Sequence, residues 1–113
     1  MVDQPAYLRL FPLQAMVLYP GMPLPLNVFE PRYLQLIREG TEANEPFGVV
    51  LLKEGQEVGP NSIEPFAIGT TAQIQQVGSL GGDRLSVSAV GGHRFRVRGF
   101  DYNNPYLAAD VEY

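Results

Sequence analysis

Tyr19 to Gly40 reads YPGMPLPLNVFEPRYLQLIREG, and its two halves carry different periods. In the first half, Leu24, Leu26 and Val28 alternate with Pro23, Pro25 and Asn27. A period of two predicts a strand with one buried face. Neither proline has a backbone N–H, and residues two apart aim their amides to the same side. One edge of this strand therefore lacks donors, which predicts an edge strand or a barrel rim. At Glu30-Pro31 the period changes. Pro31 suits the first helical position, and Glu30 places negative charge at the helix start. Tyr33, Leu34, Leu36 and Ile37 form an apolar stripe, with Arg32, Gln35, Arg38 and Glu39 on the other face. Gly40 is the expected C′ residue, giving a helix of about nine residues. A helix that short is unstable alone, so it is expected to pack on a sheet as a plug over an open barrel end.

The whole chain, 1–113, reads as one domain. Its 45% hydrophobic and 18% charged residues are globular proportions, and its 12 Gly and 10 Pro punctuate apolar runs as turns. A first strand, Tyr7–Phe11, is expected to end at Pro12, and Ala15–Tyr19 forms a short second one before the turn Pro20-Gly21. Phe47–Leu52 is apolar on both faces and reads as a central strand. Lys53 to Pro65 is polar and reads as a surface loop. A meander follows, with strands at 70–77, 84–90, 94–98 and 106–112. Its turns are expected at Gly81-Gly82-Asp83, Gly91-Gly92 and Asn103-Asn104-Pro105. The fold class is mainly β with one short α-helix, a barrel or sandwich.

Composition also bounds function. A net charge of −4 weighs against a nucleic-acid binder. The absence of cysteine excludes disulfides, thiol nucleophiles and thiolate metal sites. The N-terminus lacks the pattern of a signal peptide, and no apolar run approaches a membrane span, so a cytoplasmic location and no membrane partner are expected. There is no P-loop and no nucleophile elbow. The sole lysine, Lys53, starts a loop. The sole histidine, His93, has no companion ligands and reads as structural or solvent-exposed. No catalytic residue, cofactor or metal is expected.

Leu10-Phe11-Pro12-Leu13, Tyr19-Pro20-Gly21, Pro23-Leu24-Pro25-Leu26 and Phe29-Glu30-Pro31-Arg32-Tyr33 together resemble the opening of the Lon N-terminal domain. Ile68-Gly69-Thr70, Val90-Gly91-Gly92-His93-Arg94-Phe95 and Pro105-Tyr106-Leu107-Ala108-Ala109 resemble its later landmarks in order. That domain is the substrate-recognition part of the Lon ATP-dependent protease and also occurs in stand-alone proteins. The resemblance implies a PUA-like pseudo-barrel, a mixed sheet rolled around a short helix. It also implies a non-catalytic module that binds unfolded or exposed polypeptide segments, because Lon proteases cut with a serine–lysine pair in a separate domain. Such domains usually continue into a helical bundle, whereas this chain stops at Tyr113, as a shortened or a natural minimal form. Surfaces shared with that bundle are then exposed, and self-association through strand edges is open.

Three groups of residues are candidates for contact. Met16, Leu18, Tyr19, Met22 and Leu24 cluster around the proline turns, either as a peptide-binding patch or as ordinary core. Arg94, Arg96 and Arg98 alternate along one strand. They are either a stripe for anionic ligands, RNA included as the alternative function, or a solvated face paired with Asp101, Asp110 or Glu112. Phe29, Glu30, Pro31, Arg32 and Tyr33 form a structural motif in which Glu30 pairs with Arg32, Arg94 or another arginine to fasten the helix to the sheet.

Overall fold

The computed structural model describes residues 4–14, 16–52 and 68–113. The expected loop Lys53 to Pro65 lies outside the described residues, as does Ala15. The chain runs β1 (Tyr7–Gln14), β2 (Pro23–Val28), α1 (Pro31–Ala43), β3 (Phe47–Leu52), β4 (Ile68–Gly81), β5 (Arg84–Asp101) and β6 (Ala108–Glu112). The described residues form a mainly β fold with one helix. The strands form one mixed sheet in the order β2-β5-β4-β3-β1-β6, and a further β5–β6 pairing closes five of them into a ring. β2 hangs on β5 outside that ring, so the whole is a pseudo-barrel. Among the described residues only β1 and β3 run parallel, and α1 lies in the crossover that a parallel pair requires.

Two cores result. The helix stripe of Tyr33, Leu34, Leu36 and Ile37 packs with Phe11, Leu24, Val28, Phe47, Ala72, Val87 and Ala89. All six strands contribute, β6 through Ala108, so the sheet is rolled around the helix. The second core, Leu8, Leu10, Val50, Phe95, Leu107, Ala109 and Val111, contains no helical residue. The strands close that part of the barrel by themselves. Phe47 to Val50 are buried throughout, because β3 faces both cores.

Pro23 and Pro25 lie in β2, which among the described residues pairs with β5 alone, so their missing donors fall on the outer edge of the described sheet. Pro12, by contrast, does not end β1, which continues to Gln14. The Leu10 amide donates to the Leu107 carbonyl at 2.7 Å, toward β6. The missing amide of Pro12, two residues on, faces the same side. Pairing with β6 has stopped at Arg9, so no ladder bond is lost there. The expected strand over Ala15–Tyr19 is also corrected: Met16 to Tyr19 belong to no strand.

The helix is longer than expected. Asn44, at φ 54°, takes the left-handed cap, and the Glu45 amide donates to the Gly40 carbonyl at 3.0 Å. Gly40 is a buried residue of the helix rather than its stop signal. The meander differs too. Gly81 and Gly82 turn the β4–β5 hairpin with φ of 94° and 56°, but Gly91-Gly92 makes no turn. β5 runs on through both glycines. It carries a bulge there, since Thr70 aligns with Arg94 and Ala72 with Gly91. The bulge lies where the outer neighbour of β5 changes from β2 to β6.

Candidate functional site

The segment Met16–Met22 crosses the sheet as a strap, held mainly by its backbone. Thr70, buried in β4, donates its hydroxyl to the Leu18 carbonyl at 2.8 Å. The Gly21 amide donates to the Gly91 carbonyl, and the Gly91 amide to the Met22 carbonyl, each at 2.8 Å. Between them Pro20-Gly21 turns, with Gly21 at φ 81° and the Met22 amide bonded to the Tyr19 carbonyl at 3.0 Å. Gly91 has to be glycine for this approach, since a Cβ there would run into the Tyr19 carbonyl. Gly92 lies close against Thr71, whose hydroxyl accepts from the His93 amide at 2.8 Å.

This anchoring divides the five patch candidates. Leu18 and Leu24 are buried in the core cluster and are not available for contact. Met22 is half-buried and packs against the same cluster. Met16 and Tyr19 are exposed, at 36% and 58%. Val17 is 42% exposed and Ile68, at the start of β4, 49%. Neither was singled out from the sequence. A run of hydrophobic letters does not say that a strap turns most of its side chains outward. Leu18 points in while Val17 and Tyr19 point out.

Two cavities meet beside the strap. One, of about 30 Å³, is lined by Met16, Val17, Ile68, Thr70 and Arg94 over a floor that includes Leu18 and Val49. The other is an open groove of about 480 Å³ lined by Ile68, Arg94, Phe95, Arg96, Glu112 and Tyr113. Ile68 and Arg94 belong to both, so the two form one continuous surface. Arg96 stands across from Ile68 on β4 and from Glu112 on β6, while Phe95 points into the barrel core. Among the described residues, neither Arg94 nor Arg96 has a carboxylate within 4.0 Å. The third arginine, Arg98, sits at the register shift between Val97 and Gly99 and lines neither cavity.

The motif Phe29–Tyr33 takes a largely architectural position. Glu30 pairs with Arg32 at 3.1 Å, within the helix start, and does not tie the helix to the sheet. Its carbonyl accepts from the amides of Tyr33 and Leu34. The Arg32 guanidinium covers the Tyr33 ring at 4.8 Å, and that ring meets Phe11 at 4.5 Å. Burial pushes the Tyr33 hydroxyl above its ordinary pKa. Phe29 turns its ring outward, 64% exposed, over a groove lined by Pro31, Leu34, Arg38 and Asp83.

The link between helix and barrel is made elsewhere, by residues that the sequence did not single out. Tyr106 donates its hydroxyl to Glu39 at 2.7 Å, and Arg9 lies 3.7 Å from Glu39 and 3.3 Å from Glu45. The Tyr106 bond, followed by that of Gln35, holds the Glu39 carboxyl below the ordinary glutamate range. These side chains come from β1, the second half of the helix, the connection after it and the loop before β6, and no local spacing joins all four. His93 is exposed with its ring edge-on to Tyr113 at 6.4 Å. Among the described residues no group of acids and histidine could hold a metal ion, and no helix is long and apolar enough to cross a membrane. Lys53 lies outside the described residues.

Comparison with known proteins places this geometry in a family. Residues 7–113 match the ATP-dependent protease La (LON) substrate-binding domain. The chain is 32% identical over 110 residues to the Lon protease of Anaeromyxobacter dehalogenans, covering 97% of this chain and 13% of that protein. It is 33% identical to Lon protease 2 of Myxococcus xanthus, with the same coverage. The crystal structure of a Lon N-terminal domain protein from Xanthomonas campestris superposes with a TM-score of 0.74 at 35% identity, over 94% of this chain and 58% of that one. The chain thus spans 13% of the length of the curated relatives it matches. With the family model covering nearly every residue, the chain belongs to the Lon substrate-binding domain family.

Proposed function

We propose that the chain is a non-catalytic recognition module that binds exposed apolar segments of unfolded polypeptides at the strap surface. The observation that carries this reading is the outward row of Met16, Val17, Tyr19 and Ile68. These apolar side chains are exposed on a backbone pinned to the sheet, next to an open groove. A rigid backbone that presents adaptable apolar side chains costs little entropy on binding. The family supports the same reading, since its described role is substrate binding. The chain has no P-loop and no cysteine, so it is read as the recognition part of a machine whose chemistry lies elsewhere. A cytoplasmic setting goes with that role.

The test is binding of a permanently unfolded, fluorescently labelled protein, followed by anisotropy. Val17→Asp and Met16→Asp are expected to abolish binding while the melting temperature holds, because both positions are exposed. Full binding by both variants sinks the assignment. Met22→Asp is a poorer probe, since Met22 packs against the core.

A further inference from the structure

The groove next to the strap is chemically two-sided. One end is apolar, with Met16, Val17 and Ile68, and the other is cationic, with Arg94 and Arg96. The chain carries 8 basic against 12 acidic residues, yet three of the basic ones fall between positions 94 and 98. Outward charges on a half-buried strand are ordinary. Here, among the described residues, the two arginines at the groove lack carboxylate partners, although Glu112 lies across from Arg96 on the neighbouring strand. Guanidinium groups with no carboxylate partner among the described residues, beside an apolar wall, favour a ligand that brings carboxylates and hydrophobic groups together.

We propose that Arg94 and Arg96 form an anionic subsite, so that this surface takes polypeptide segments in which acidic residues flank an apolar one. The inference rests on the recognition reading above and deepens it. Arg94 and Arg96 are two residues apart on one face of β5, about 7 Å along the strand. A peptide extended along β5 presents its own alternate side chains at that spacing. Glu112 selects between anions. A nucleic-acid backbone is charged at every unit and has to run past this carboxylate, whereas a peptide can place acids opposite the arginines and a neutral residue opposite Glu112.

The experiment compares two labelled peptides of identical apolar content on the whole chain. In one, acidic residues flank a central leucine, and in the other the corresponding amides replace them. The acidic peptide is expected to bind about tenfold more tightly at low salt, with the preference shrinking as salt is added. Arg94→Gln with Arg96→Gln is expected to erase the preference but not the binding of the amide peptide. Glu112→Gln is expected to enlarge it. All three side chains are exposed, and melting curves verify that the variants fold. Equal binding of the two peptides overturns the subsite and leaves the apolar reading standing. Binding of neither peptide overturns both. A preference that survives in a folded double arginine variant overturns the subsite, and single-stranded RNA that displaces the acidic peptide at equal charge overturns the choice of ligand.

Discussion

Two adjacent stretches, Met16–Met22 and Pro23–Ala43, both join hydrophobic residues to proline, and the fold uses them in opposite ways. The second is held by its side chains. Leu24, Val28, Tyr33, Leu34, Leu36 and Ile37 are buried, and the edge of β2 is left bare because two prolines remove its donors. The first is held by its backbone, through Thr70 and Gly91, with Leu18 as its one fully buried side chain. A segment fixed by side-chain burial has none of those side chains left for a ligand. One fixed by main-chain bonds can turn Met16, Val17 and Tyr19 to solvent without losing its place. A recognition surface is therefore better sited on the strap than on the helix, although the helix carries the more conspicuous motif.

The largest expected effect breaks the side-chain-held stretch. Leu36 is fully buried at the centre of the helix stripe. Leu36→Ala removes its contacts with strand residues and leaves a cavity, at a cost of about 2–5 kcal/mol. A helix of 13 residues has little stability of its own, so the loss should appear as a lower denaturation midpoint for the whole chain. A midpoint unchanged from wild type would show that the helix is dispensable to the fold.

Gly91→Ala tests the backbone-held stretch, with a smaller expected cost. The new methyl group would meet the Tyr19 carbonyl, forcing the strap off the sheet or β5 out of line, for about 1–3 kcal/mol. The sharper readout is amide exchange. The Gly21 and Gly91 amides, bonded across this contact, should lose protection while amides at the centre of α1 keep theirs. Equal loss in both places would mean that strap and helix form one cooperative unit, and the contrast drawn between them would fail.

The same contrast explains what the sequence made legible. Pro23–Phe29 and the start of the helix could be read because their signals are local: a period of two, a proline at the first turn, a stripe at helical spacing. The strap could not. Whether Ala15–Tyr19 forms a strand depends on a partner edge, and whether Gly91-Gly92 turns or lets another chain segment approach depends on what crosses it. Glycine serves both purposes, and its letter does not distinguish them. Pro12 was misleading for a related reason, because its missing donor costs nothing only once the pairing of β1 with β6 is known to stop at Arg9. At the site, Arg94 and Arg96 were legible as an alternating row, but the displacement of Arg98 by a bulge depends on β6. Ile68 reads from the sequence as part of a family landmark and not as a contact residue, because its exposure depends on its neighbours across the sheet.

The smallest effect concerns the polar link that joins the helix end to the barrel. Glu39 accepts the Tyr106 hydroxyl at 2.7 Å and faces Arg9 at 3.7 Å. Its carboxyl is held below the ordinary range chiefly by that hydroxyl. A carboxyl whose folded pKa is depressed contributes stability above its unfolded pKa, near 4.3. That contribution is lost as pH falls from there through the lower folded value. With 36% of the side chain exposed, solvent screens much of the interaction, so the effect should be slight at neutral pH. Glu39→Gln keeps an acceptor for Tyr106 but removes the titrating charge. The variant should melt slightly below wild type at neutral pH, and the two melting curves should converge as the solution is acidified past pH 4 or so. A gap that stays constant across the acid range would show that Glu39 acts through packing rather than charge. The link would then belong with the side-chain-held helix, not with a separate electrostatic latch.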